Sequence, residues 1–218
     1  EKRIAYEKIA SHEADIVIGT HALIQEKVVY DNLALVITDE QHRFGVAQRA
    51  KLWAKNANPP HVLVMTATPI PRTLNMAMTG IRDMSTLEMA PVGRHPVQSY
   101  VVPHDMEILS EAMERELRRG GQVYYLHNRI ESIDARVAQI KKYLPDARIG
   151  VGHGKMSEDE LSEVWRRLID NEIDILVCTT IIETGVDVPN ANTLIIESAE
   201  NMGLSQLHQI RGRVGRSS

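Results

Sequence analysis

The sequence is poor in several residue types, and each scarcity argues against a class of protein. Of the 218 residues only Cys178 is a cysteine, so no internal disulfide can form and a structural zinc frame is disfavoured. One Phe and two Trp leave few rings on which single-stranded bases could stack. No apolar run approaches the roughly 20 residues of a membrane span. We therefore expect a cytoplasmic protein of a reducing compartment, without a membrane partner.

The chain also lacks a strong excess of charge of either sign. The formal net charge is −4, so the chain has no global basic field of the kind that many nucleic-acid-binding proteins use. The densest basic stretch is "RGRVGR" at 211–216. Nine histidines are present, but none stands in an HExxH pattern, which argues against a catalytic zinc site.

What the chain does contain is an alternation of short apolar runs with amphipathic helical patterns. Most of the runs are apolar on both faces, as parallel strands covered by helices on both sides should be. The pattern predicts an α/β fold with parallel sheets. The predicted strands cover residues 15–20, 33–38, 61–66, 97–102, 122–127, 148–153, 174–179 and 193–198.

A break in the pattern divides the chain. The stretch "APVGRHP" at 90–96 holds two prolines and a glycine between periodic segments, which is typical of a linker. We predict a first unit at 1–90, a linker at 91–96 and a second unit at 97–218. The first unit has three predicted strands and the second has five, so the first resembles the C-terminal half of a domain.

Polar residues stand where predicted strands end, which is where open α/β sheets bind ligands. Taken singly, each has an ordinary structural explanation: a turn for Asp39 and Glu40, caps for Thr66 and Thr68, a solvated basic tail for the final arginines. Together they form an ordered set of motifs. These are "GTHAL" (19–23), "DEQH" (39–42), "TATP" (66–69), "TTIIETGVDVP" (179–189) and "QIRGRVGR" (209–216).

The last four stretches resemble motifs II, III, V and VI of superfamily 2 helicases, and "GTHAL" resembles their DNA-contacting motif between I and II. The resemblance covers essentially the whole chain and implies two RecA-like domains that face each other across a nucleotide cleft. "DEQHRFGVAQR" is similar to the branched-DNA translocase RecG, whereas "GGQVYYLHN" and "SQLHQIRGRVGRS" are similar to the transcription-repair coupling factor Mfd. The longer half favours the Mfd type.

This resemblance implies an ATP-dependent translocase or helicase that moves on duplex or branched DNA in DNA repair. RNA polymerase is an additional implied partner if the chain is of the Mfd type. The implied cofactors are ATP and Mg²⁺.

The resemblance also implies a role for each motif residue. Asp39 would hold Mg²⁺, and Glu40 would orient and deprotonate the attacking water. Arg213 and Arg216 would bind the γ-phosphate, because a guanidinium makes planar bidentate contacts with phosphate. The residues that would contact ATP or couple its state to movement are Gln41, His42, Thr66, Thr68, Asp187 and Gln209. DNA-backbone contacts fall to Thr20, His21, Thr179 and Thr180.

One departure from the family pattern leaves two hypotheses open. No Gly-rich phosphate loop of the form GxxxxGK[ST] occurs, and "GHGKMS" at 152–157 lacks that spacing. We expect the loop to lie upstream of residue 1 and the last strand of the second unit to lie beyond residue 218, which would make the chain an internal piece of an enzyme. On its own the chain should then be inactive. The alternative is a DNA-binding or interaction remnant that does not hydrolyse ATP.

Overall fold

A computed structural model describes residues 2–39, 59–66, 83–89, 96–184 and 186–215. The chain divides into two compact units, residues 1–85 and residues 86–218. The predicted linker lies outside the described residues except for Pro96, and its bounds stay a prediction. No helix in the described ranges has both the length and the apolar character needed to cross a bilayer.

The first unit contains a helix and a pair of parallel strands. Helix α1 spans Lys2–Ala10, and a short 3-10 helix spans His21–Ile24. Strands β1 (Leu35–Asp39) and β2 (His61–Met65) pair in parallel, with Asp39 opposite Met65 at their carboxyl ends. The sequence prediction of these two strands is confirmed.

The strand predicted at 15–20 is wrong. This segment forms no strand, and the side chains of Ile16 and Ile18 are 82% and 92% exposed. A strand requires a neighbour that completes its backbone hydrogen bonds, and the described residues offer none to this segment. The apolar pattern alone therefore overstated its tendency to form a strand.

The second unit is built on a four-stranded parallel sheet. Its strands are β3 (Gln122–Leu126), β4 (Ile149–Gly152), β5 (Ile175–Cys178) and β6 (Ala191–Ile196). Their order across the sheet is β4-β5-β3-β6. All side chains of β3 and β5 are buried, which confirms the prediction of strands that are apolar on both faces.

Four helices cover the two faces of this sheet. Helices α2 (Met106–Arg118) and α3 (Ile133–Tyr143) contribute apolar side chains to the core on one face. Helices α4 (Glu158–Ile169) and α5 (Leu204–Arg211) contribute to the core on the other face. Crossover helices on both faces are what parallel connections require.

Local signals in the sequence mark the helix ends. Ser157 and Glu160 form a capping box, in which each side chain bonds the other residue's backbone N–H. Helix α2 ends before Gly120, whose φ of +77° lies in the left-handed region that glycine tolerates.

The strand predicted at 97–102 is wrong, because this segment has no ladder partner in the described chain, and Val101 is fully exposed.

Gly121 is required by the packing of a buried carboxylate. A Cβ at this position would lie 1.7 Å from Oε1 of Glu116 and 2.7 Å from its Cδ. Glu116 is 2% exposed, accepts a hydrogen bond from Thr193 and pairs with Arg119 at 2.6 Å. Both contacts are made by Oε2, so a methyl group that displaces Oε1 would turn the carboxylate and disturb both of them.

We expect Gly121→Ala to lower the free energy of unfolding by about 1–3 kcal/mol, because a buried charged group would lose its partners. Urea denaturation followed by circular dichroism measures the change. Gly154→Ala is the matched control, since a Cβ there has open space around it; its effect should stay within about 0.5 kcal/mol. Equal stability of the two variants would contradict this packing argument.

Cys178, at the end of β5, is an inert core thiol. The residue is fully buried, as its position in an apolar run predicts, and burial raises the pKa of its thiol well above the usual range. Because only the thiolate is nucleophilic, a thiol reagent should modify the folded protein only as fast as β5 becomes exposed by opening of the structure. The urea-unfolded protein, as control, should react completely, and prompt labelling of the folded protein would contradict the prediction.

Candidate functional site

In the first unit, two candidate residues lie at the same edge of the strand pair. Asp39 is the last residue of β1, and Thr66 directly follows β2. Because Asp39 is opposite Met65 in the parallel register, the carboxyl ends of both strands bring these side chains to one edge. Asp39 is exposed and Thr66 is half-buried, so both can meet a ligand.

Thr20 and His21 begin the 3-10 helix of the first unit. Thr20 has extended backbone angles and makes no side-chain capping bond to the helix. Both residues are exposed. Their side chains are therefore available for contacts with a binding partner, which stay a prediction.

Five predicted site residues lie outside the described residues: Glu40, Gln41, His42, Thr68 and Arg216. Their roles stay predictions that follow from the motifs.

In the second unit, the structure brings the two C-terminal motifs together. Thr179 directly follows β5, and Thr180 begins a 3-10 helix, Thr180–Thr184. Gln209 lies in α5 and Arg213 lies just beyond its end. The two segments share one core, because Ile182 of the 3-10 helix is buried in the same cluster as Ile210 and Val214.

Within this pair of motifs the candidate side chains differ in exposure. Thr179, Thr180, Gln209 and Arg213 are half-buried, and Asp187 is exposed. The segment that carries Thr179 and Thr180 and the segment that carries Arg213 therefore pack against the same buried side chains.

A second cluster of polar residues lies at the carboxyl edge of the same sheet, centred on Glu197. Glu197 directly follows β6, and its side chain is only 8% exposed. Its carboxylate accepts hydrogen bonds from the Tyr125 hydroxyl and from Nδ1 of His127 at 2.5 Å. Nε of Arg136, on α3, lies 2.6 Å from Oε1, and Nε2 of His104 lies 3.1 Å from the same oxygen. We call these five residues the Glu197 cluster.

The electrostatics of this cluster favour an ionised carboxylate. Burial alone would raise the pKa of Glu197, but the hydrogen bonds from Tyr125 and His127 and the charge of Arg136 together hold it below the usual value. Burial and the hydrogen bond to Glu197 raise the pKa of the Tyr125 hydroxyl, which therefore remains a donor. Four donors from three segments of the chain thus converge on one negative charge.

The cluster continues into the loop that follows β3. Nε2 of His127 lies 2.8 Å from the Ser132 hydroxyl, which in turn lies 3.4 Å from the carbonyl oxygen of Arg129. The backbone N–H of Ser132 donates to the same carbonyl at 3.2 Å. The loop at 127–132 is therefore closed on itself and attached through His127 to Glu197.

Sequence reasoning missed this cluster, although a signal was present. His127 and Glu197 are the first polar residues after two apolar strands, which is the same criterion that selected Thr179. His127 lies in the quoted stretch "GGQVYYLHN", but neither it nor Glu197 belongs to the helicase motifs that supplied the predicted site residues, so neither was predicted as a site residue. The open cleft beside them, with a volume of about 1990 Å³, is lined by residues of both strand ends and of the segment 96–104.

The first unit offers a carboxylate to a hard cation at the carboxyl edge of its strand pair. The described residues contain no group of three His, Cys, Asp or Glu side chains that could enclose a metal ion. Mg²⁺ does not require such a group, since it keeps several waters and binds one or two carboxylates together with substrate phosphates. The exposed carboxylate of Asp39, at the edge shared with Thr66, fits this role by its oxygen chemistry and its position.

Comparison with known families gives two matches that follow each other along the chain. Residues 1–77 match the DEAD/DEAH box helicase family, and residues 105–218 match the helicase conserved C-terminal domain. The transcription-repair-coupling factor of Bacillus subtilis is 55% identical over 204 residues, which cover 94% of this chain. The Staphylococcus aureus factor has the same identity and coverage. The chain spans 17% of the length of each of these relatives.

Solved structures agree with these matches. RecG bound to a three-way DNA junction superposes with a TM-score of 0.75 and 40% identity, over 99% of this chain and 28% of that one. Yeast Dbp5 bound to RNA and ADP BeF3 superposes with a TM-score of 0.63 over 90% of this chain and 54% of its own, but at 14% identity, which shows a shared fold. The chain belongs to the helicase family defined by the conserved C-terminal domain, in the superfamily 2 group of RecG and the transcription-repair-coupling factors.

Proposed function

We propose that the chain is part of an ATP-dependent double-stranded DNA translocase that acts in DNA repair. The observation that carries this proposal is the 55% identity to transcription-repair-coupling factors over 94% of the chain. The motif residues of β1, β2, β5 and α5 support it, since they lie at or beyond the carboxyl ends of parallel strands or on the segment packed there, whereas Thr20 and His21 lie at a 3-10 helix. A cytoplasmic location fits the single buried thiol.

ATP is the proposed substrate, and the motif residues would act on it. Glu40 would take a proton from the attacking water, and Asp39 would hold the magnesium ion that neutralises phosphate charge. Arg213 and Arg216 would stabilise the charge that develops on the γ-phosphate. Asp187 and Gln209 would contact the nucleotide, while Gln41, His42, Thr66 and Thr68 would couple its state to movement.

DNA is the molecule along which we propose that the protein moves. Thr20 and His21 in the first unit, with Thr179 and Thr180 in the second, would contact the phosphate backbone, because a translocase must ignore base sequence. Identity to the transcription-repair-coupling factors is 55%, against 40% to RecG, which favours a role in transcription-coupled repair. RNA polymerase is then the expected protein partner, whereas a RecG-type enzyme would act on branched DNA.

We predict that the protein encoded by the complete gene is an ATPase stimulated by duplex DNA. Glu40→Gln should lower turnover by about 10²–10⁴-fold without loss of nucleotide binding, because an amide cannot accept the proton. Arg216→Ala should lower turnover by about 10³-fold or more. The double variant should be little worse than either single one, since both groups act on one transition state. Steady-state ATPase assays with and without duplex DNA measure these effects.

Matched controls come from an exposed ion pair on α2, in which Arg118 lies 2.9 Å from Glu114. Glu114→Gln and Arg118→Ala should leave turnover unchanged, because surface pairs contribute little. Near-normal stimulated turnover of Arg216→Ala would contradict the proposed role of this arginine in hydrolysis. DNA binding without hydrolysis by the unsubstituted protein would favour the alternative of a DNA-binding module.

A further inference from the structure

The Glu197 cluster fixes the shape of one particular loop. Residues 127–132 connect the end of β3 to α3, and they are held at both ends by contacts that start at Glu197. His127 bridges the Glu197 carboxylate and the Ser132 hydroxyl, with 2.5 Å on one side and 2.8 Å on the other. Arg136, one turn into α3, contacts the carboxylate directly. Loss of the carboxylate would therefore release both the loop and the start of the helix.

Three of the four residues between these two attachment points face solvent, and Ile130 is half-buried; the exposed Glu131 lies 3.7 Å from Lys155, which offsets its charge. Asn128 and Arg129 are exposed. In the part of the chain that the structure describes, no carboxylate contacts the Arg129 guanidinium. A guanidinium and an amide on a closed loop are suited to bind phosphate oxygens. The buried carboxylate of Glu197 sets the shape of this loop, but it is too enclosed to contact a polyanion itself.

The same loop adjoins the residues proposed to contact DNA in this unit. The backbone N–H of His127 donates to the carbonyl oxygen of Cys178 at 2.8 Å, and Thr179 and Thr180 follow immediately. The loop and the threonines therefore lie at one edge of one sheet. A phosphate backbone that contacts Thr179 would pass close to this loop.

We infer that Glu197 is a positioning residue, which holds loop 127–132 through His127 and Ser132 in the shape that binds DNA phosphates. This inference rests on the proposed function, because it assumes that DNA is the ligand. Its distinctive consequence is that a buried carboxylate, which itself repels DNA, supports DNA affinity. Neutralising it should weaken binding, although removal of a negative charge would by simple electrostatics strengthen binding to a polyanion.

The experiment uses the protein encoded by the complete gene and a fluorescently labelled DNA duplex. Glu197→Gln should raise the dissociation constant for the duplex by about tenfold, because energetic coupling between two sites typically changes affinity by a factor of this size. Ser132→Ala removes only the contact between His127 and the Ser132 hydroxyl and keeps the Glu197 carboxylate. This variant should also raise the dissociation constant. Amide hydrogen exchange in loop 127–132 should accelerate in both variants, since local opening becomes easier.

Glu116→Gln is the matched control. Glu116 is also buried and also bonds a β6 residue, Thr193, but it contacts neither His127 nor the loop at 127–132. Its substitution should leave DNA affinity and exchange in the loop unchanged. Equal weakening of DNA binding in the Glu116 and Glu197 variants would overturn the positioning role, as would unchanged loop exchange in Glu197→Gln. Failure of the unsubstituted protein to bind the duplex would instead overturn the proposed function, and the loop's role with it.

Discussion

The second unit depends on the parallel pairing of β3, which has a neighbour on each side. β3 bonds to β5 along one edge and to β6 along the other, and all five of its side chains are buried. Its alternate side chains enter different cores, Tyr124 and Leu126 on one face and Val123 and Tyr125 on the other. Each of the helices α2 to α5 packs against one of these two cores. A disturbance of β3 would therefore reach both layers of helices.

Parallel pairing also decides where chemistry can occur. All four strand ends of the second unit point the same way, so the residues that follow them gather at one edge. Two kinds of polar residue are found there. Thr179 and Thr180 remain accessible to a ligand, whereas Glu197 and His127 are largely buried and bond mainly to each other and to their neighbours. The second kind gives the edge a defined shape, because a buried charge is stable only with its partners in place.

Two buried glutamates attach β6 to the rest of the unit. Glu116, on α2, accepts a hydrogen bond from Thr193 within β6, and Glu197 follows the strand's carboxyl end. β6 pairs with β3 on one side only among the described residues. Side-chain contacts thus add to the backbone hydrogen bonds that β6 makes with β3. They connect β6 to the helices α2 and α3, which pack on one face of the sheet.

The sequence by itself determined the α/β class, most of the strands and helices, and the motif residues, because these are encoded locally. Apolar runs, capping residues such as Ser157 and strand-end motifs need only neighbours in the chain. Local patterns failed at 15–20 and 97–102, where an apolar run has no partner strand in the described chain. Only the tertiary structure brings the members of the Glu197 cluster together. Its members are separated from Glu197 by 61 to 93 residues. They meet because Leu126 is opposite Ile196 in the β3–β6 register, which places His127 beside Glu197, and no local periodicity specifies which strands become neighbours.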